Sequence, residues 1–273
     1  GVNDVTFSNN LIGEGLDDST HPKGPHSKGM LIGDGSERIT VVRNLFVHNA
    51  DRNPEMTGGT SAVVVNNVVT DWDPGQEATH LGRAGTIPDE PTCASIVGNV
   101  YVRSAAMGVR AAAAVEIHRD LPPGSQLFVD GNLSPTIEPV RNESDQDPFV
   151  SAPPIWPEGL TVLSASEVVE PVLQSVGARP VDRDAVDRRY LVDVWTGAGR
   201  VIDDQADVGG FPQLPPTTRA LQLPADPAGD DDADGYTNVE EWLHGLAVRL
   251  ERGNPTRTTR PPSGRSFPAA EAP

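Results

Sequence analysis

Asp230, Asp232 and Asp234, the carbonyl of Tyr236, Asn238 and Glu241 fall at alternating places and then at the last place of a twelve-residue stretch, DDDADGYTNVEE. Three carboxylates, a main-chain carbonyl, an amide oxygen and a final glutamate able to bind through both oxygens are the ligand set of a Ca²⁺ loop, and Gly235 supplies its sharp turn. The pattern predicts a bound calcium that steadies the fold; an acidic spacer is the alternative. A second group is basic. The chain has two lysines against nineteen arginines, and Lys23 and Lys28 share one loop with His21 and His26. Arg52-Asn53-Pro54 follows one strand later, with Arg43 and His48 in or beside that strand. The histidines read either as orienting groups or as plain hydrogen-bonding loop residues. Arg43 and His48 either line a cleft or face solvent.

These groups need elements to position them. FSNNLI, VRNLFV, VNNVVT, VGNVYV and VDGNLS recur through the first half of the chain, with asparagines at Asn10, Asn44, Asn67, Asn99 and Asn132. A short strand, an Asn at a bend and another short strand form one coil of a solenoid. Such a coil cannot bury its apolar face alone, so coils stack and share a core. Asn tolerates left-handed backbone angles, and its amide can bond the same amide one coil above and below. A sandwich of alternating strands would leave the repeated Asn unexplained. The predicted fold is all-β, a right-handed, single-stranded parallel β-helix with C-terminal helices and a short calcium-loop tail.

Three segments carry a family resemblance. HPKGPHSKGMLIG, from His21 to Gly33, and then Asn44 to Gly59, follow the order of motifs in the bacterial branch of the pectate lyases of polysaccharide lyase family 1. RDAVDRRYLVDVWTGAGRVIDDQADVGGFP, Arg183 to Pro212, resembles the tail that follows the β-helix in that branch. The resemblance spans roughly residues 1–245 and is strong at these three places. It implies a pectate lyase acting on polygalacturonate (pectin), with Ca²⁺ as cofactor, by removal of the galacturonate C5 proton and cleavage of the C4–O bond. Arg52 then stands where the family has its base, and Lys28 where it has the lysine that holds the substrate carboxylate. Lys23, His26, Arg43 and His48 are further substrate-binding candidates. An arginine base needs neighbouring cations, which also neutralise the substrate carboxylate and stabilise the enolate-like transition state.

Two departures stand out. Thr57 occupies the place of the second, substrate-clamping arginine, and Glu55 sets a negative charge beside Arg52. The acidic ligands of the family's catalytic calcium come from coils before GVNDVTF. These opening residues read as mid-solenoid strand, which predicts upstream coils and a leader. Two other readings stand beside the lyase: a non-catalytic β-helix that binds acidic polysaccharide, and a polygalacturonase-type hydrolase. The hydrolase needs an acid and a base carboxylate set apart to admit water.

Composition sets the bounds. A formal charge of −18 argues against nucleic acid as a partner, since the chain would repel phosphates. No apolar run is long enough to span a membrane. A lone Cys93 excludes an internal disulfide and a thiolate metal cluster, and its strand, TCASIVGN, makes it a small buried residue. The expected protein is secreted or periplasmic and monomeric. Residues 1–212 read as the β-helix with its helical and extended tail, 213–229 as a linker, 230–247 as the calcium loop and 248–273 as a disordered tail. Coils are expected over 1–135 and a loop over Ser134–Pro157. A capping box at Ser164–Glu167 is expected to open one helix that Gly177 ends. Asp182 is expected to cap a second helix over about Arg183–Trp195, with Val186, Tyr190, Leu191 and Val194 on one face.

Overall fold

Three sheets of parallel strands run along the coil stack in the computed structural model, which describes residues 1–73, 75–82, 90–104, 113–213, 216 and 220–252. The first sheet holds β1 (Asn3–Ser8), β4 (Glu37–Val42), β7 (Ser61–Val65), β10 (Cys93–Val97) and β13 (Gln126–Asp130). The second holds β2 (Leu11–Gly13), β5 (Leu45–Val47), β8 (Val68–Thr70) and β11 (Val100–Val102). The third holds β3 (Leu31–Ile32), β6 (Glu55–Met56), β9 (Thr79–Leu81), β12 (Ala113–Ile117) and β14 (Glu138–Asn142). Each of the first four coils gives one strand to each sheet in turn, and the fifth gives β13 to the first and β14 to the third, which is the parallel β-helix read from the sequence.

Register makes the core. Ile39, Ala62, Ala94 and Leu127 stack along the first sheet, Phe46, Val69 and Tyr101 along the second, and Met56, Leu81 and Ile117 along the third; all face one apolar interior. The alternate residues of the strands are also apolar where something covers them, as expected for parallel sheets buried on both faces. Val42, Val63, Val65 and Val97 on the outside of the first sheet meet Ile155, Trp156 and Leu160.

The asparagine ladder runs along the corner between the first two sheets. Asn44 Oδ1 accepts from the Asn10 amide side chain, Asn67 Oδ1 from Asn44, Asn99 Oδ1 from Asn67 and Asn132 Oδ1 from Asn99, each at 2.9 Å. The residue before each ladder asparagine (Asn9, Arg43, Asn66, Gly98, Gly131) is left-handed, so the corner turns on one residue per coil.

The C-terminal helices lie against the outside of the second sheet. α1 (Val169–Ser175) and α2 (Ala185–Thr196) press Val172, Leu173, Tyr190, Leu191 and Val194 onto Leu45, Val47, Val68 and Val100. Three local expectations are corrected. Ser164 does not form a capping box: its hydroxyl meets Ser166 Oγ at 2.9 Å, and a 3₁₀ turn over Ala165–Glu167 leads into α1. Asp184, not Asp182, caps α2, accepting from the Val186 and Asp187 amides at 2.8 and 2.9 Å, because Pro180–Asp182 forms a 3₁₀ turn of its own. Within the stretch expected to be a loop, β14 pairs in parallel with β12 and sets Val140 against the core.

Cys93 is half-buried in β10, and burial pushes its thiol pKa up. A third helix, α3 (Asn238–Arg252), follows the acidic loop and runs into the 248–273 stretch expected to be a disordered tail. No helix among the described residues is long and apolar enough to cross a membrane. The expected disordered tail falls, from residue 253 onward, outside the described residues.

Candidate active site

Lys28 and Arg52 sit on consecutive coils, and backbone hydrogen bonds bring them side by side. Lys28 pairs with Asp51 as a parallel bridge; the Gly29 amide donates to Asp51 O at 2.9 Å and the Met30 amide to Arg52 O at 2.6 Å. A Cβ at Gly29 would stand 2.5 Å from Asn53 Oδ1 and 2.7 Å from Arg52 O, so this approach needs glycine. The Arg52 turn is held from both sides. Asn49 donates to Asn53 Oδ1 at 3.2 Å, and Thr79 Oγ1, one coil on, donates to Asn53 O at 2.8 Å. Arg52 itself is left-handed, at φ 61°.

Both cations rest on buried carboxylates. Lys28 Nζ lies 2.7 Å from Asp51 Oδ2, and Arg52 Nε lies 2.6 Å from Glu55 Oε2. The carboxylates are sealed, while the Lys28 and Arg52 side chains keep 20% and 19% of their surface open. Burial alone would raise the Asp51 pKa; His80, Lys28 and the Arg52 amide outweigh it and hold the carboxyl below its usual range. The loop before Lys28 adds further positive charge. The His21 and His26 rings stack with centroids 3.8 Å apart, and Lys23, exposed, donates its amide to His21 Nδ1. Desolvation, then His21, Lys28, Arg52 and Lys23, push the His26 pKa down, so these five side chains form one electropositive group.

Arg43 and His48, expected near this group, are not brought to it. Arg43 occupies the ladder corner between the first and second sheets. His48 is wholly buried at the far end of β5, with Nδ1 3.7 Å from Asp71 Oδ2 and Nε2 3.5 Å from Asp193 Oδ2 of α2; Gly199 packs directly on its ring. It therefore cannot reach a ligand on the surface. Its role is structural, joining the coil corner to α2 just as Glu14, one coil before, accepts from Arg189 Nη2 at 2.7 Å.

Sequence reasoning missed Asp51, Asn53, Asp73 and His80. The Asp73 pKa is raised by burial and then by Asp17, with Arg103 and Lys28 opposing. Arg103 is nearly buried; it lies 5.5 Å above the Trp72 ring and donates to Trp72 O at 3.1 Å. Asp51 adjoins Arg52, and His80 faces Glu55 in register. Only the strand pairing reveals that neighbourhood.

Among the described residues around Lys28 and Arg52, the calcium implied by the family finds no cage. The carboxylates against Lys28 and Arg52 are Asp51 and Glu55, and each is already taken up by a cation. The acidic loop differs: one carboxylate oxygen from each of Asp230, Asp232 and Asp234 lies within 4.8 Å of the others, a spacing that suits a hard dication. The Gly235 amide donates to Asp230 Oδ2 at 3.0 Å and the Tyr236 amide to Asp234 Oδ1 at 2.9 Å. Asp232 first, then burial, Asp234 and Asp230, raise the Glu241 pKa, so that carboxyl lies in the field of the same group. Asn238 is occupied otherwise: Oδ1 accepts from the Asp231 amide at 3.1 Å and Nδ2 donates to Asp226 O at 2.8 Å, which ties the loop shut.

The β-helix thus sets a lysine and an arginine side by side on adjacent coils, and comparison with known proteins finds sequence relatives. The chain is 27% identical over 278 residues to a probable pectate lyase C of Aspergillus flavus, covering 90% of this chain and 60% of that protein. It is 27% identical over 284 residues to one of Aspergillus fumigatus, and 25% over 276 residues to one of Emericella nidulans. The resemblance to pectate lyases is thus borne out, in fungal relatives rather than bacterial ones. The chain spans about 60% of the length of the curated relatives it matches. No family model matches it.

Proposed function

We propose that this chain carries the substrate cleft of a secreted pectate lyase that cleaves polygalacturonate by β-elimination, with Arg52 as the base. The observation that carries the reading is the bridge of Lys28 to Asp51, which sets Lys28 beside Arg52 on the next coil, inside a cluster that also holds Lys23 and His26. In this reading Lys28 and its neighbours hold the substrate carboxylate, which acidifies C5. The proton passes to the neutral Arg52 guanidine, the C5 electron pair forms the C4–C5 double bond, the C4–O bond breaks, and the leaving sugar oxygen takes a proton from water. For Arg52 to accept a proton it must first give up its own and part from Glu55, a loss that the neighbouring cations Lys28 and Lys23 favour. Ca²⁺ supplies further charge neutralisation in such enzymes, and the described residues around Arg52 form no cage for it. The acidic loop over Asp230–Glu241 takes a calcium that stabilises the tail.

A second reading, a β-helix that binds acidic polysaccharide without cleaving it, is favoured by the two carboxylates that already neutralise Lys28 and Arg52. One experiment separates them: incubation with polygalacturonate, with Ca²⁺ or a chelator, following ultraviolet absorbance of the unsaturated product alongside reducing ends. The lyase reading expects absorbance that Arg52→Ala lowers by at least about 1000-fold, the scale of losing a principal catalytic group. Reducing ends without absorbance would mean hydrolysis. Retarded migration in a polygalacturonate gel without either product would leave the binder.

A further inference from the structure

We propose that Glu77, His80 and His118 form a site for one transition-metal dication of the zinc type, next to the Arg52 cluster and separate from both calcium readings. One ligand atom from each of the three residues lies within 4.8 Å of the other two. His80 Nδ1 and His118 Nε2 are 3.2 Å apart. Two nitrogens bound at about 2.0–2.1 Å to a tetrahedral zinc stand about 3.3 Å apart, so the imidazoles already have the bite of a metal-bound pair.

The surroundings are those of a ligating histidine. His80 is wholly buried, and its other ring nitrogen, Nε2, lies 3.3 Å from Asp51 Oδ1. A carboxylate there holds the proton on Nε2 and turns the Nδ1 lone pair towards His118, the arrangement that orients histidine ligands in metal sites. Register explains why the chain can do this. On the outward row of the third sheet, Glu55, His80, Glu116 and Arg141 follow one another strand by strand, so His80 stands between two acidic positions. A cleft lined by Gly75, Gln76, Glu77, Glu116, His118 and Arg141 leads in from solvent, which gives the ion an entry path and leaves a fourth ligand place for water. Two imidazoles and one carboxylate select zinc, cobalt or copper over calcium and magnesium.

Without metal, the same distance is a hydrogen bond from His118 Nε2–H to His80 Nδ1. On metal binding His118 takes its other tautomer, with the proton on Nδ1 and the Nε2 lone pair free for the ion, so the two states differ in where that one proton sits. The test is direct and needs no enzymatic turnover, so it stands whether or not the lyase reading does. The chelator-stripped protein is titrated with Zn²⁺ by calorimetry and with Co²⁺ in the visible. A tetrahedral cobalt site with nitrogen ligands absorbs strongly there, whereas cobalt in the all-oxygen acidic loop does not. The expected result is one equivalent bound with an intense cobalt band that Zn²⁺ displaces. His118→Asn should abolish it, Glu77→Gln, on a half-exposed loop, should weaken it, and Asp51→Asn should weaken it by about 10- to 100-fold. Circular dichroism of each variant checks the fold. Absence of the band in the unaltered protein, or its survival in a folded His118→Asn, overturns the proposal.

Discussion

Truncating Asn67 to alanine tests whether the amide ladder holds the coils together. Asn67 is fully buried. Its Oδ1 accepts from the Asn44 backbone amide and from Asn44 Nδ2, both at 2.9 Å, and its Nδ2 donates to Val41 O at 2.9 Å and to Asn99 Oδ1 at 2.9 Å. Removal leaves the Asn44 amide N–H buried with no acceptor, whereas Asn44 Nδ2 keeps its bond to Phe7 O and Asn99 Oδ1 keeps the backbone amide at 67. One orphaned buried donor costs about 1–3 kcal/mol, and the lost bonds to Val41 and Asn99 add about 1 kcal/mol, giving roughly 3 kcal/mol in all. For a protein of this size that is a fall of roughly 6–12 °C in melting temperature. Asn132, the last ladder residue, is half-exposed, so Asn132→Ala should cost less than half as much, because water reaches the groups it leaves behind. Thermal melts followed by circular dichroism, with both variants in one buffer, read the difference. Equal losses would refute the reasoning, since the cost would then follow from deleting any turn asparagine and not from burial within a ladder.

Two further outcomes follow from the charges. The Asp73 pKa is raised in the fold, so the folded protein loses stability as pH rises through that value and the protonated form is favoured below the ordinary carboxyl value of 3.8. Asp73→Asn should therefore melt higher than the unaltered protein at pH 7, and the gap should close as pH falls to about 4; a gap that widens on acidification would reverse the sign and sink the argument. In the acidic loop, Ca²⁺ at about 100 times its dissociation constant should stabilise the closed form by about 2.7 kcal/mol. This should appear as slower proteolysis ahead of α3, and Asp232→Asn should remove the protection.

Much of this was legible because solenoids repeat. Five asparagines in matching contexts announce five coils, and the ladder bonds link those same five residues. What was hidden lay where periodicity is weakest. β14 is an edge strand with charged and proline residues and only Val140 turned to the core, so it carries no alternation to read. His48 looked like a cleft residue by sequence distance from Arg52, but the left-handed turn at His48 sets it at a corner that α2 then covers. His80 and His118 are 38 residues apart and meet only because coils of unequal length pass over the same face.

The same geometry resolves the conflict between a chain of charge −18 and a polyanionic ligand. At physiological ionic strength the field of distant carboxylates is screened beyond about 8 Å, so the whole-chain charge slows approach without deciding contact. In the lyase reading, contact is made by Lys23, His26, Lys28 and Arg52, a group that holds both lysines of the chain. Beneath them Asp51 and Glu55 are sealed from solvent and act as fixed counter-charges that keep the cations oriented while the site is empty. A ligand carboxylate has to compete with those two groups. Added salt should therefore speed the encounter by screening the repulsion of the chain as a whole, and weaken binding once the ligand is seated.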